Sequence, residues 1–289
     1  MTVQIENRRI DGPHGEIPLR IYTPEPAPGE RLGLVWAHGG GWVAGDLDMP
    51  ESDWVARQLA ERGITVIAVD YRLAPPIPNY PGLPEVADPL HYPAASEEVT
   101  AAFTWATESD LAVPPQNWAI GGASAGANLT AGATLRLRDD GGPRPCGLLL
   151  VYGLLHGELP PMRPELAAKY EALEQAGPAI GPEAVKLMTE HYVGDPALLK
   201  ESYAFPGGHD LQGTPPTFLL NSELDALRAS GERFGAELAA AGVDLVMIRE
   251  DGVGHGHLSE PDNPGAARSL ARMADWLASP SLLGTAHER

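Results

Sequence analysis

The chain has one cysteine in 289 residues, few aromatic side chains (6%), and about half as many Lys and Arg (20) as Asp and Glu (39). Each shortage excludes something. Cys146 has no partner for an intramolecular disulfide. It heads the apolar run Gly147-Leu148-Leu149-Leu150-Val151, so it reads as a buried, inert thiol. A formal net charge of −19 argues against nucleic acid and anionic membrane surfaces, whose binding needs clustered cations. The plain reading of the acidity is solubility. No apolar run approaches the length of a membrane span. The opening MTVQIENRRIDG alternates like a strand and carries no basic-then-apolar leader. The expected setting is the cytoplasm.

What is present is an alternation of short aliphatic runs and helix-period segments. Strands are expected at Ile17–Tyr22, Leu32–Ala37, Ile64–Val69, Trp118–Gly121, Gly147–Tyr152, Thr217–Asn221 and Asp244–Arg249. The later runs are almost continuously hydrophobic, as parallel strands covered on both faces must be. Helices are expected at Ser52–Arg62, Ala94–Glu108, Ala127–Arg138, Ser230–Ala241 and Pro264–Leu277, the fourth stopping at Gly242. This order implies an α/β fold with a mostly parallel central sheet flanked by helices. The first two strands, joined by Pro24–Arg31, are expected to form an antiparallel edge. Two stretches break the pattern. Residues 155–212 hold two helical segments, Pro164–Gln175 and Pro182–Tyr192, without a convincing strand, and read as an inserted helical cap. The proline-rich stretch Pro75–Pro93 reads as a restrained loop. The expected organisation is a core of 1–154 and 213–289, a cap of 155–212, and a loop 76–92 adding cover.

The chemistry starts at Gly122-Ala123-Ser124-Ala125-Gly126, between an expected strand and an expected helix. A nucleophilic serine on a tight strand-to-helix turn needs small neighbours two positions away, and Gly122 and Gly126 supply them. The bland reading is a glycine-rich turn, since the pentapeptide alone matches widely by chance. His38-Gly39-Gly40-Gly41 follows the strand Leu32–Ala37 and lets backbone N–H groups aim inward. Gly40 and Gly41, with Ala125, are the candidate oxyanion donors. A phosphate loop is the rival, but no G-K-[ST] follows. His38 reads as a brace for that loop, and Trp42 as either a wall of the acyl pocket or a core residue. Asp225 follows the strand Thr217–Asn221 and is a candidate orienting acid, or else a helix N-cap. His255 follows Asp244–Arg249 and is the candidate general base, or else a solvated loop histidine. With His257 it could also be read as a metal ligand, but no carboxylate or cysteine set accompanies the pair. The chain order Ser, Asp, His, each beyond a strand's C-terminal end, is what these residues share with α/β-hydrolases.

Taken together, His38-Gly39-Gly40-Gly41-Trp42, Val69-Asp70-Tyr71-Arg72-Leu73-Ala74-Pro75, Gly122–Gly126, Glu223-Leu224-Asp225-Ala226-Leu227 and His255-Gly256-His257 resemble the hormone-sensitive-lipase family of bacterial carboxylesterases. The resemblance runs from about Asp11 to Leu277. It implies an α/β-hydrolase fold, Ser124 as nucleophile, His255 as base, Asp225 as its orienting acid, and an oxyanion hole of Gly40, Gly41 and Ala125. Asp70 and Arg72 fall in a segment taken as structural. No cofactor and no metal are implied, and a homodimer is a family-level expectation. The chain also departs from the family. Ala123 stands where Asp or Thr is usual, and His257 stands where Phe is usual, which would put a polar group at the pocket rim. The N-terminal part is short, and Pro76–His91 looks like an insertion, so cover is expected from Ile77–His91 and Leu155–Gln212.

The reading is a serine carboxylesterase acting on short- to medium-chain esters, with Trp42 and His257 as candidate substrate contacts. The rivals are an amidase, formamidase or deacetylase with the same triad, and a non-catalytic receptor on a hydrolase scaffold. A receptor would typically have lost a triad member. A lipase working at an oil interface would need an amphipathic apolar lid, and none is visible.

Overall fold

The computed structural model describes residues 1–26, 32–80, 82–176, 180–279 and 282. Most of the link Pro24–Arg31 therefore lies outside the described residues, as do Pro81 in the proline-rich stretch and 177–179 between the two central helical segments. Among the described residues eight strands make one sheet. Their order is β1 (Thr2–Gly12), β2 (Gly15–Glu25), β4 (Thr65–Val69), β3 (Gly33–Ala37), β5 (Trp118–Ala123), β6 (Leu148–Val151), β7 (Thr217–Leu224) and β8 (Leu245–Gly254). β1 and β2 form an antiparallel hairpin, β2 runs antiparallel to β4, and every pairing from β4 onward to β8 is parallel.

The expected pairing of Ile17–Tyr22 with Leu32–Ala37 does not occur. β4 lies between them, with Leu19 opposite Val69 and Val35 opposite Ile67. The antiparallel edge is made instead by β1 with β2, from Thr2 opposite Glu25 to Gly12 opposite Gly15. A turn of two residues closes that hairpin at the smallest entropic cost, so the local partner takes one side of β2.

Strand alternation divides the core between the two sheet faces. Val35 and Ala37 of β3 join one apolar cluster, and Leu34 and Trp36 join the other. The first cluster is closed by α2 (Ala94–Glu108), α3 (Ala125–Asp139) and α6 (Arg228–Ala240), for example through Phe103, Leu129 and Phe234. The second is closed by α1 (Asp53–Ala60) and α7 (Pro264–Leu277), through Leu59, Leu270 and Met273. Full burial of one such Leu or Phe contributes about 1.5–3 kcal/mol, so the sheet is held from both sides by many comparable terms. α7 starts at Pro264 with the Asn263 side chain accepting from the Gly265 N–H at 2.9 Å. Cys146 is buried, and burial pushes its thiol up to about 12, consistent with an inert side chain.

Between β6 and β7 the chain runs through α4 (Pro164–Ala176), α5 (Pro182–Val193) and a 3-10 turn at Pro196–Lys200. α4 is fastened by charge. Arg228, 1% exposed, reaches Glu165 at 3.0 Å and Glu232 at 2.7 Å, and Lys169 bridges Glu165 and Glu223, each at 2.5 Å. α5 is fastened to the proline-rich stretch. His191 Nε2 donates to the Pro75 carbonyl at 2.6 Å, the Tyr92 N–H donates to the Tyr192 carbonyl at 3.0 Å, and His91 Nδ1 donates to the His191 carbonyl at 2.8 Å. Among the described residues no helix is long and apolar enough to cross a membrane.

Candidate active site

Ser124 joins β5 to α3 with φ 53 and ψ −116, a backbone conformation that L residues rarely adopt. The sequence allows it because both flanks lack a side chain. A Cβ on Gly126 would overlap the Ala37 carbonyl, and one on Gly122 would lie 2.6 Å from that same oxygen. The turn is pinned by the Ser124 N–H donating to the Val151 carbonyl at 2.9 Å. Its hydroxyl meets His255 Nε2 at 2.9 Å, and His255 Nδ1 meets Asp225 Oδ2 at 2.8 Å. Three residues separated by 131 and 30 positions in sequence thus form one continuous hydrogen-bonded relay.

Asp225 takes the orienting position and is not the N-cap of α6, which is Leu227, although it braces the turn before that helix. While Oδ2 holds His255, Oδ1 accepts from the Leu227 N–H at 2.9 Å, one residue before α6 begins. Burial pulls the His255 pKa down, but the charge and hydrogen bond of Asp225, with Glu51 adding more weakly, more than offset it. The pKa therefore lies above the usual histidine value.

The loop after β3 has Gly40 at φ 112, Gly41 at φ 61 and Trp42 at φ 64. Among the described residues nothing accepts from the Gly40 or Gly41 N–H. Ala125 is the first residue of α3, where an N–H has no intrahelical partner. The loop is braced from beneath. His38 is buried, donates from Nδ1 to the Gly39 carbonyl at 2.7 Å, and stacks on Tyr71 at 4.5 Å. Burial lowers its pKa to about 4, so it is neutral at pH 7. The Tyr71 hydroxyl donates to the His38 carbonyl at 2.8 Å. Val43 and Ala44 donate back to the Gly40 carbonyl, which closes the turn.

A narrow apolar cavity opens at Ser124, with a free volume of about 10 Å³. Gly41, Trp42, Ala125, Leu154, Leu227 and His255 line it from the core side, and Ile180, Val185 and Met188 from α5 and its approach. Larger hollows of about 680 and 550 Å³ lie around Arg163, and neither is lined by Ser124. Trp42 reaches the cavity, although its ring is buried and stacked on Tyr192 at 4.5 Å. His257 does not reach it. Its ring is 1% exposed and spans Ser222 Oγ at 3.0 Å and Ser269 Oγ at 2.8 Å, and burial lowers its pKa to about 4. The rim position expected for His257 is corrected to an interior one, because both ring nitrogens are taken by serines of β7 and α7. Among the described residues no group of three or more His, Cys, Asp or Glu could hold a metal ion.

Two neighbours of the relay gave no sequence signal. Glu51 lies in a stretch with Asp46, Asp48 and Asp53, and composition cannot tell which carboxylate is buried. Tyr152 directly follows β6 and packs edge-on against His255, with ring centroids 5.1 Å apart.

A family model described as the alpha/beta hydrolase fold matches residues 34–259. Carboxylesterase NlhH of Mycobacterium tuberculosis is 32% identical over 266 residues, covering 89% of this chain and 76% of that protein. The chain belongs to the α/β-hydrolase fold family, in its hormone-sensitive-lipase branch. Membership makes it a hydrolase, and the sheet order and flanking helices agree. The thermostable carboxylesterase EstE1, cloned from a metagenomic library, superposes with a TM-score of 0.81 at 27% identity, covering 95% of this chain and 88% of that one. The hyperthermophilic esterase of Pyrobaculum calidifontis gives 0.80 at 30% identity, covering 96% and 84%.

Proposed function

We propose that this protein is a serine carboxylesterase that cleaves short- to medium-chain esters of small molecules through an acyl-enzyme on Ser124. The observation that carries the reading is the relay Ser124–His255–Asp225 at 2.9 and 2.8 Å beside an apolar cavity. Neutral His255 takes the Ser124 proton as the oxygen attacks the ester carbonyl, and Asp225 stabilises the imidazolium that forms. The N–H groups of Gly40, Gly41 and Ala125 receive the oxyanion. His255 then protonates the departing alcohol. Water, deprotonated by the same histidine, attacks the acyl-enzyme and releases the acid, restoring Ser124.

In this reading residues 155–212 serve as a cap, with loop 76–92 adding cover, and Trp42 walls the acyl site. The hydrogen bonds of His191, Tyr92 and His91 support the two covers acting together. The working compartment is the cytoplasm, in keeping with a single buried cysteine. The edge strand β8, with Val246 and Met247 exposed, supports a homodimer, which size-exclusion chromatography with light scattering tests.

Labelling with a fluorophosphonate probe, and turnover of p-nitrophenyl esters from acetyl upward, tests the main reading in wild type and Ser124→Ala. Wild type should label and turn over, and the variant should do neither. Labelling that persists in Ser124→Ala would remove Ser124 as the nucleophile. Parallel assays on the matching anilides separate ester from amide cleavage.

A further inference from the structure

Glu51 is 2% exposed, yet it makes no hydrogen bond to Ser124, His255 or Asp225. Its two carboxylate oxygens face two different parts of the site. Oε2 accepts the Gly39 N–H at 2.5 Å, at the start of the loop that carries Gly40 and Gly41. Oε1 accepts the Tyr152 hydroxyl at 2.6 Å, and the Tyr152 ring lies against His255. The Glu51 carbonyl is itself held by the Trp36 indole N–H at 2.9 Å, so the side chain hangs from a fixed point. The carboxylate also sits beneath the nucleophile. A Cβ placed on Gly39 would overlap Glu51 Oε2 and lie 3.0 Å from Ser124 Cβ. Ala123, whose methyl brings no polar atom to this space, leaves Glu51 and Tyr152 as the polar groups behind Ser124.

We propose that Glu51 is a positioning residue for hydrolysis, holding the oxyanion loop through Gly39 and the back of His255 through Tyr152, and placing a second negative charge behind the histidine. This rests on the serine-hydrolase reading above. Burial raises the Glu51 carboxyl above its usual value, and the Tyr152 and Gly39 hydrogen bonds and the charge of His255 offset only part of that rise. Each oxygen has a donor aimed at it, and both bonds favour the charged form against the burial that opposes it. The groups facing His255 are Asp225 from the loop after β7, Ser124 at the elbow, Tyr152 just after β6 and Glu51 from the loop before α1. Those facing Glu51 are Tyr152, the Gly39 N–H, His255 and, by charge alone, Tyr71. When His255 becomes imidazolium during acylation, both carboxylates favour it.

The test compares Glu51→Gln, Glu51→Ala and Ser124→Ala, with melting curves to confirm folding. Gln keeps the shape and one acceptor for Gly39 but loses the charge. It should lower kcat about tenfold, since a donor whose outright loss costs about 10²–10³ is loosened rather than removed. KM should stay near the wild-type value. The acid limb of kcat/KM should move to lower pH, because the protonated form of His255 loses a neighbouring negative charge. Glu51→Ala, where it folds, should lower kcat about 10²-fold, the cost of a displacement of about 1 Å. A purely architectural Glu51 would lower the melting temperature and leave the limb unmoved. Folded Glu51→Gln with wild-type kcat and an unmoved acid limb, alongside inactive Ser124→Ala, overturns the proposal and leaves the hydrolase reading standing. Turnover in Ser124→Ala overturns both.

Discussion

Met188 of α5 sits over Gly41 of the oxyanion loop, its terminal methyl 2.8 Å from where a Cβ on that glycine would be. The thioether therefore roofs the point at which the acyl group must settle. The cavity beneath it is about 10 Å³ in this conformation, room for about one water, so a short- or medium-chain acyl group needs Met188 to move aside. Met188→Ala should raise kcat/KM for hexanoyl relative to acetyl p-nitrophenyl esters by about tenfold, within the range that methylenes are worth in an apolar pocket. An unchanged chain-length profile would show that the roof is elsewhere.

The two oxygens of Asp225 separate catalysis from stability. Asn keeps an acceptor for the Leu227 N–H but cannot hold His255 in the same tautomer. Asp225→Asn should therefore lower kcat by about 10⁴, with little change in melting temperature. Asp225→Ala should lose the same activity and about 1 kcal/mol of stability through the lost hydrogen bond to the Leu227 N–H. Chemical denaturation of the two variants side by side measures the difference.

The pH–rate profile follows from His255. Its pKa is raised above the usual value, so the neutral base is lost at a higher pH than in a free imidazole. The acid limb of kcat/KM for a neutral ester should fall above about 6.5. The same shift adds folding stability that is fully present below the unfolded pKa and is lost as pH rises through the folded value. Rates measured between pH 5 and 9 locate the limb.

His38 and His257 act in the opposite sense. Both have pKa values lowered by burial from 6.5 to about 4, so the unfolded chain takes up protons that the folded chain refuses. Their contribution to stability is present above pH 6.5 and is lost as pH falls toward 4. Asp70, raised by burial to about 6, opposes this over part of the same range. Denaturation midpoints should decline across that window. His257→Gln should make the decline shallower by about one proton's worth, whatever its effect at neutral pH.

The parts of this molecule legible in the sequence are those where local chemistry and placement coincide. Gly122 and Gly126 are dictated by close contact with the Ala37 carbonyl, and such glycines flank the serine in the chain itself. The alternation of aliphatic runs with helical segments marked β3 to β7, because strands buried on both faces tolerate little else. The edge was misread because β1 is polar and largely exposed on both faces, with only Ile10 buried, and period-2 alternation over a polar run is a weaker signal. Glu51, Tyr152 and Met188 were invisible for a different reason. Each acts through a contact with a residue far away in sequence, and nothing in its own neighbourhood distinguishes it from an ordinary acid, aromatic or apolar residue. His257 was misplaced because proximity to His255 in the chain says nothing of direction. Its ring faces Ser222 and Ser269.

The ties from His191 and Tyr192 to Pro75, His91 and Tyr92 bear on how such enzymes exchange parts. Transplanting α4 and α5 alone from a relative would strand the partners of His91 and the Pro75 carbonyl against foreign surfaces. The unit that recombines intact is discontinuous in the gene, pairing a proline-rich segment with a helix a hundred residues downstream.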